Sequence, residues 1–321
     1  MSLLDKFNQK DIRALSKIIS AIEDNQIGVQ KILGELYPKA GSAVRIGITG
    51  PPGAGKSTLV NGLAHLFLKH GKKVGVLAVD PTSPFTGGAL LGDRVRMHEF
   101  PTTGEIYFRS MATRGARGGL SAATDNAAVA VGAFGYDIVL IETVGVGQIE
   151  IDIIDTCDVV VVVLVPESGD SIQTMKAGLM EIGDIFVVNK ADRPGSDKMV
   201  AELRYGIGNW KHTNKSWPAP VIATEATHDK NVDKLFEVIG QFVEHLKTSG
   251  RFEAHRREQI SKKVLSVLQA RFKREFLDHV DADTRLEAVV DDIMSGKSNP
   301  YLAGEELYKK FEKQKTLRVQ T

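Results

Sequence analysis

Apolar positions fall into three regimes along the chain. Over residues 1–42 they recur at helical spacing, with Ile12, Leu15, Ile19 and Ile22 separated by charged residues, which predicts helix. Tyr37-Pro38-Lys39-Ala40-Gly41-Ser42 breaks the pattern and reads as a linker. From 43 to about 245, short β-branched runs alternate with helical stretches. The runs are Val44–Thr49, Val74–Asp80, Ile106–Phe108, Ile138–Glu142, Val159–Val165, Ile185–Asn189 and Val221–Thr224. Several are apolar on both faces, as strands of a doubly covered sheet must be. The expected fold is therefore α/β, a mostly parallel central sheet with crossover helices on both faces. Beyond Gly250 the pattern turns helical and charged. Arg251 to about Asp278 reads as one amphipathic helix with Ile260, Val264, Val267, Leu268 and Phe272 on a broad face. A second helix precedes Ser295 and a third follows Pro300. The expected division is a helical segment over 1–42, an α/β domain over 43–248 and a helical arm over 249–321. The arm is too thinly apolar for a core of its own, so it is expected to pack on the sheet or pair with another copy. Its basic clusters, such as His255-Arg256-Arg257, read as solvated faces.

Composition narrows the function classes. The net charge is +1 over 321 residues, so bulk charge implies no nucleic-acid partner, and any anion must be held by a local site. Cys157 is the only cysteine, which excludes an internal disulfide framework and a thiolate zinc cluster; it reads as a small core residue. The start MSLLDKFNQKD lacks a basic flank followed by an apolar run, and the longest apolar run, Val159 to Val165, is far too short to span a bilayer. A soluble, cytoplasmic protein with no membrane partner is expected.

The chemistry begins at Gly50-Pro51-Pro52-Gly53-Ala54-Gly55-Lys56-Ser57, which matches G-x-x-x-x-G-K-[ST] between a predicted strand and a predicted helix from Ser57 to about His70. Glycines at 50, 53 and 55 let backbone N–H groups turn inward to form a positive nest at a helix N-terminus. Lys56 would set its charge against the β- and γ-phosphates, and the Ser57 hydroxyl would ligate Mg²⁺. Asn189-Lys190-Ala191-Asp192 follows the strand at Ile185 and supplies a base site. The Asp192 carboxylate can accept from guanine N1–H and the 2-amino group, where adenine offers no donor, and leaving it unpaired costs about 1–3 kcal/mol. The Asn189 amide can bridge base and loop, and the Lys190 stem can cover the ring.

Candidate carboxylates lie at or near strand ends. Glu142-Thr143-Val144-Gly145 stands at a Walker B position, where Glu142 can reach Mg²⁺ directly or through water and the Gly145 backbone can donate to a γ-phosphate. Asp80 ends Val74–Val79, and Asp93 lies in the loop beyond; both are candidate metal or switch residues, and Asp80 also reads as a plain cap or turn residue. Val146 follows Gly145 where many small GTPases carry glutamine, with Gln148 further along, so slow unaided hydrolysis is expected. The loop from Arg114 to Gly119, with Arg114 and Arg117 among glycines, reads either as an anion contact or as a flexible connection.

Taken in order, GPPGAGKST, VLAVDPTSPFTGGALLGDRVRM, RSMATRGARGGL, ETVGVGQIE, PESGDSIQTMKAGLMEIGD and NKAD resemble the MeaB/ArgK/MMAA family of P-loop GTPases, of the SIMIBI class, over roughly residues 1–280. The resemblance implies GTP and GDP as ligands with Mg²⁺, and a chaperone that gates cobalamin delivery to an adenosylcobalamin-dependent acyl-CoA mutase and protects or reactivates it. It also implies a cobalamin adenosyltransferase in the same pathway, and homodimers through the carboxy-terminal helical arm. By that resemblance Gly50, Pro52, Gly53, Ala54, Gly55, Lys56, Ser57, Thr58, Asn189, Lys190, Asp192, Thr224, Glu225 and Ala226 bind nucleotide. Ser57, Asp80, Asp93 and Glu142 hold metal, Lys56, Asp80, Glu142 and Gly145 serve catalysis, and Asp170, Gln173 and Lys176 belong to a partner-sensing third switch. The family's last base loop usually reads T-S-A-x-T-G-x-G. Here it is Thr224-Glu225-Ala226-Thr227-His228-Asp229-Lys230-Asn231, with glutamate for serine and neither glycine. Ala226 is then expected to offer its N–H to guanine O6. Two other functions fit a similar core: a nickel-insertion GTPase, and a kinase of amino-acid transport binding proteins. The first usually needs a Cys/His metal cluster, whereas here the histidines are scattered (65, 70, 98, 212, 228, 245, 255, 279).

Overall fold

The computed structural model describes residues 2–80, 104–112, 122–143, 152–168, 179–209, 217–280 and 282–319. Asp93, Gly145, Asp170, Gln173, Lys176 and the loop 114–119 lie outside the described residues, and of Asp80 only the backbone is described. The chain divides into two compact units, Met1–His255 and Arg256–Thr321.

Among the described residues, the first unit is built on a seven-stranded sheet: β1 (Val44–Thr49), β2 (Val74–Asp80), β3 (Ile106–Ala112), β4 (Ile138–Glu142), β5 (Val159–Leu164), β6 (Ile185–Val188) and β7 (Val221–Ala223). Their order is β3-β2-β4-β1-β5-β6-β7, and every neighbouring pair is parallel. The sequence pattern dictates this arrangement. In β5, Val160, Val162 and Leu164 join one core while Val159, Val161 and Val163 join the other. A strand with stiff apolar side chains on both faces has no side for water and needs helices above and below.

On one face lie α4 (Lys56–Lys69) and α7 (Val232–Thr248), whose Leu59, Leu63, Leu235, Ile239 and Phe242 are fully buried. The other face carries α5 (Ala122–Phe134), with α6 (Ser196–Asn209) nearer β6. Outside α5 packs the amino-terminal segment. The periodicity predicts helix there, and the structure breaks it into α1 (Leu3–Asn8), α2 (Ile12–Glu23) and α3 (Val29–Leu36), with a 3₁₀ turn at Tyr37–Lys39 inside the expected linker. The breaks fall where Lys10, Asn25 and Gly28 take left-handed backbone angles (φ 64°, 46° and 88°). Leu15, Ile18, Ile19 and Ile22 of α2 are buried, each contributing roughly 1.5–3 kcal/mol of transfer free energy. Polar contacts set the register of this packing. Arg109 of β3 pairs with Glu23 and donates to the Ser20 hydroxyl at 3.1 Å, and the Ser16 and Tyr107 hydroxyls lie 3.3 Å apart.

Glu142 ends β4 and Thr49 ends β1, in adjacent parallel strands, so both release their following loops at one sheet edge. β1 is the switch point of the topology, since β4, β2 and β3 lie to one side and β5, β6 and β7 to the other. Ligands of open α/β sheets bind outside the carboxyl ends of the strands at such a point.

The first turn of α8 (Arg251–Val280) belongs to this unit. His255 is half-buried and hydrogen-bonds the Cys157 carbonyl at 3.0 Å, so it is not the solvated residue its basic neighbours suggested. Cys157 itself is buried, 1% exposed. The second unit consists of the rest of α8 with α9 (Ala282–Met294) and α10 (Pro300–Val319). In it Ala303, Leu307 and Phe311 are buried, and the Phe276 and Phe311 rings lie 5.4 Å apart. Ile260, Val264, Leu265, Val267, Leu268 and Phe272 of α8 are exposed. Among the described residues, no helix is long and apolar enough to cross a membrane.

Candidate nucleotide site

The loop 50–55 leaves β1 and enters α4 at Lys56, one residue before the expected Ser57. Gly50, Gly53 and Gly55 all have positive φ (136°, 72° and 84°). Two of them are required by close approach as well. A Cβ on Gly50 would lie 1.9 Å from the Val163 carbonyl oxygen, and one on Gly55 would lie 2.3 Å from the Asn189 side-chain nitrogen. No side chain can be accommodated against a backbone carbonyl at that distance. Lys56 is buried, and its ammonium donates to the carbonyls of Gly50 at 2.8 Å and Pro51 at 2.9 Å. The charge therefore sits over the rim of its own loop. The Ser57 hydroxyl donates to the Glu142 carboxylate at 2.5 Å, which brings helix α4 and strand β4 together through oxygen atoms alone. Beneath them the buried Thr143 hydroxyl donates to the Thr49 hydroxyl at 2.9 Å.

Asn189 is the junction of the site. It follows β6, is 2% exposed, and uses both ends of its amide. Its Nδ2 donates to the Ala54 carbonyl at 2.8 Å, and its Oδ1 accepts from the Thr224 hydroxyl at 3.0 Å and from the Ala226 N–H at 3.1 Å. One side chain thus stitches the phosphate-type loop to the segments after β6 and β7. The Ala226 N–H expected to meet guanine O6 is turned to Asn189 instead, because a buried amide oxygen needs its donors. Lys190 has a left-handed backbone (φ 57°), and Asp192 is exposed. The next residue, Arg193, pairs with Glu167 just after β5. That pairing spans 26 residues and had no local signal in the sequence. It holds the Glu167 carboxyl below its ordinary range, the arginine hydrogen bond being the main cause.

The departing last loop is resolved physically. Asp229 and Asn231, standing where the usual pattern has glycines, adopt the left-handed angles themselves (φ 54° and 60°). Aspartate and asparagine tolerate that region better than other residues with a Cβ. Asn231 also donates to the Ala223 carbonyl at 2.8 Å. Glu225 pairs with Lys230, and the two residues exchange backbone hydrogen bonds of 3.1 and 3.2 Å. Thr58 and Ala226 line a groove of about 590 Å³ between α4 and α7. Of the expected site residues that are described, Gly50 to Thr58, Asn189 to Asp192 and Thr224 to Ala226 follow the carboxyl ends of β1, β6 and β7, and Glu142 and Asp80 end β4 and β2 at the same edge.

Comparison with known proteins gives this edge a context. A family model described as methylmalonyl-CoA mutase-associated GTPase MeaB matches residues 12–281. A putative GTPase of Pyrococcus abyssi is 46% identical over 270 residues, covering 83% of each chain. The mitochondrial methylmalonic aciduria type A homolog of Mus musculus is 33% identical, covering 83% of this chain and 65% of that protein. Among solved structures, a LAO/AO transport system kinase matches 99% of this chain and 97% of its own with a TM-score of 0.71 at 23% identity, a likeness of fold.

Proposed function

Since this chain belongs to the MeaB family of methylmalonyl-CoA mutase-associated GTPases, we propose that it is a GTPase acting as chaperone to an adenosylcobalamin-dependent acyl-CoA mutase, gating cobalamin delivery and protecting or reactivating the enzyme. The observation that carries the reading is the convergence of the Gly50–Ser57 loop, Glu142 and Asn189–Asp192 at one sheet edge, joined by Asn189. In this reading the amides of 50–57 and the N-terminus of α4 hold the phosphates. Lys56 exchanges its two loop carbonyls for β- and γ-phosphate oxygens, and Asp192 reads the guanine N1–H and 2-amino group.

Ser57 and Glu142 fit Mg²⁺: they are hard oxygen donors already 2.5 Å apart, with the β2 end that carries Asp80 at the same edge. When bound there, the ion neutralises charge on the β- and γ-phosphates. Gly145 would donate to the γ-phosphate, while Asp93 would join the metal set and Asp170, Gln173 and Lys176 would sense the partner. Hydrolysis is slow until the mutase docks, because Val146 stands where a water-orienting glutamine would. A cobalamin adenosyltransferase acts in the same pathway, homodimers form through the exposed apolar face of α8, and the protein works in the cytoplasm. The mutase of the family description is methylmalonyl-CoA mutase. The test is single-turnover GTP hydrolysis with and without a purified adenosylcobalamin-dependent acyl-CoA mutase. The reading expects at least about a tenfold rise on adding the mutase, the scale of a partner-supplied effect. An unchanged rate with a mutase that demonstrably binds this chain would refute it.

A further inference from the structure

The loop after β7 carries a charge arrangement that the nucleotide-site reading does not use. Glu225 is almost covered, its side chain 15% exposed, and its neighbour Ala226 hydrogen-bonds Asn189. Glu225 is therefore next in sequence to the residue that fastens this loop to Asn189. Its main cationic partner is Lys230, which approaches from the other arm of a small hairpin closed by the Glu225–Lys230 backbone bridge. His228 Nδ1 is farther from the second carboxylate oxygen, at 3.8 Å. Lys230 also feels Asp192: the Glu225 hydrogen bond first, then the charges of Glu225 and Asp192, hold its ammonium above the ordinary lysine range. Glu225 is thus the carboxylate that Lys230 pairs with, and the charge of Asp192 acts on the same ammonium.

The physical consequence follows from the bases themselves. At its 6-position guanine presents a carbonyl oxygen and adenine an amino donor. An unpaired carboxylate beside that edge repels the first and accepts from the second. We propose that Lys230 is a specificity-determining residue, which keeps the base site selective for guanine by neutralising Glu225. Lys230 is a positioning residue here: it acts through Glu225 and need not touch the base. The inference rests on the reading that the base lies against Asn189–Asp192.

The test is calorimetric titration of the full chain with Mg²⁺–GDP and Mg²⁺–ADP, using wild type, Lys230→Ala, Lys230→Arg and the double variant Lys230→Ala/Glu225→Ser. Lys230 is 62% exposed in its side chain, so its removal leaves the core intact. The expected result is that Lys230→Ala binds GDP about tenfold more weakly and that its preference for GDP over ADP narrows by about the same factor, as for loss of one charged partner. Lys230→Arg should keep the wild-type ratio, and removing the carboxylate in the double variant should restore it. A wild type that prefers GDP alongside a Lys230→Ala variant with an unaltered GDP-to-ADP ratio overturns the proposal. So does a double variant as poorly selective as Lys230→Ala, since a lysine that only braces the hairpin would not be rescued by losing Glu225. A wild type with no preference for GDP overturns the base-site reading itself, and the inference with it.

Discussion

The two halves of the proposed nucleotide site are built on opposite principles. The phosphate half is fixed by backbone: Gly50 and Gly55 face a carbonyl and an amide so closely that a Cβ would overlap them. The base half is fixed by side chains. There Asp229 and Asn231 reach the same left-handed region that glycine usually serves, and Glu225 finds a lysine five residues on. A position that forbids a Cβ by collision admits one residue type. A position that asks only for an unusual φ admits several at a cost of about 1 kcal/mol. That difference explains why the first motif is intact in this chain while the last loop has departed from the usual pattern.

The strongest way to break the comparison is Gly50→Ala. With φ at 136° and the Val163 oxygen 1.9 Å from the added carbon, the loop must shift. Nucleotide affinity should fall by about a hundredfold or more, as for a strained, misplaced phosphate cradle, checked by GDP titration. Next comes Asn189→Ala, which removes one donated and two accepted side-chain hydrogen bonds and leaves the Ala54 carbonyl and Ala226 N–H without this partner. Denaturant unfolding should show a loss of about 2–4 kcal/mol.

The comparison sharpens along β6, which Asn189 leaves and Asp184 enters. Asp184 accepts from the Val160 N–H at 2.9 Å, yet burial pushes its carboxyl up to about 7, against that hydrogen bond. A carboxyl raised in the folded state favours folding most below its ordinary pKa of 3.8, and that contribution is lost as pH rises through about 7. Asp184→Asn should therefore be more stable than wild type by about 1–2 kcal/mol above neutrality, with the difference vanishing near pH 3.8. Thermal melts across that range check the sign. The smallest effect belongs to Asp229→Gly, which relieves the left-handed strain and adds unfolded-state entropy. The two terms oppose, so stability should move by less than about 1 kcal/mol in a thermal melt.

Much of the fold was legible because periodicity and burial agree in this chain. All seven expected β runs became strands, β3 running on to Ala112 and β5, β6 and β7 stopping one residue early. Such runs are readable since β-branched residues on both faces have few other homes. The three short amino-terminal helices were read as continuous helix because their breaks rest on left-handed Lys10 and Asn25, residues that do not announce that backbone. The contact between Phe276 and Phe311 had no local signal, because the two rings lie on different helices. At the site, the motif letters named Lys56, Ser57 and Asn189, but not that Asn189 would claim the Ala226 N–H. A four-residue motif states which groups are present; only packing decides which of them meet each other first. The Glu142–Ser57 contact spans 85 residues and becomes visible only when β4 is laid beside β1.

The central claim is that one asparagine makes the two halves a single nucleotide site. Titration of wild type and Asn189→Ala with both GDP and inorganic pyrophosphate tests it most directly, since pyrophosphate touches only the phosphate half. The account predicts that Asn189→Ala weakens both ligands, pyrophosphate by about tenfold, because the Ala54 carbonyl and the loop around it lose their tie. Pyrophosphate affinity unchanged from wild type, with only GDP affinity reduced, would contradict it.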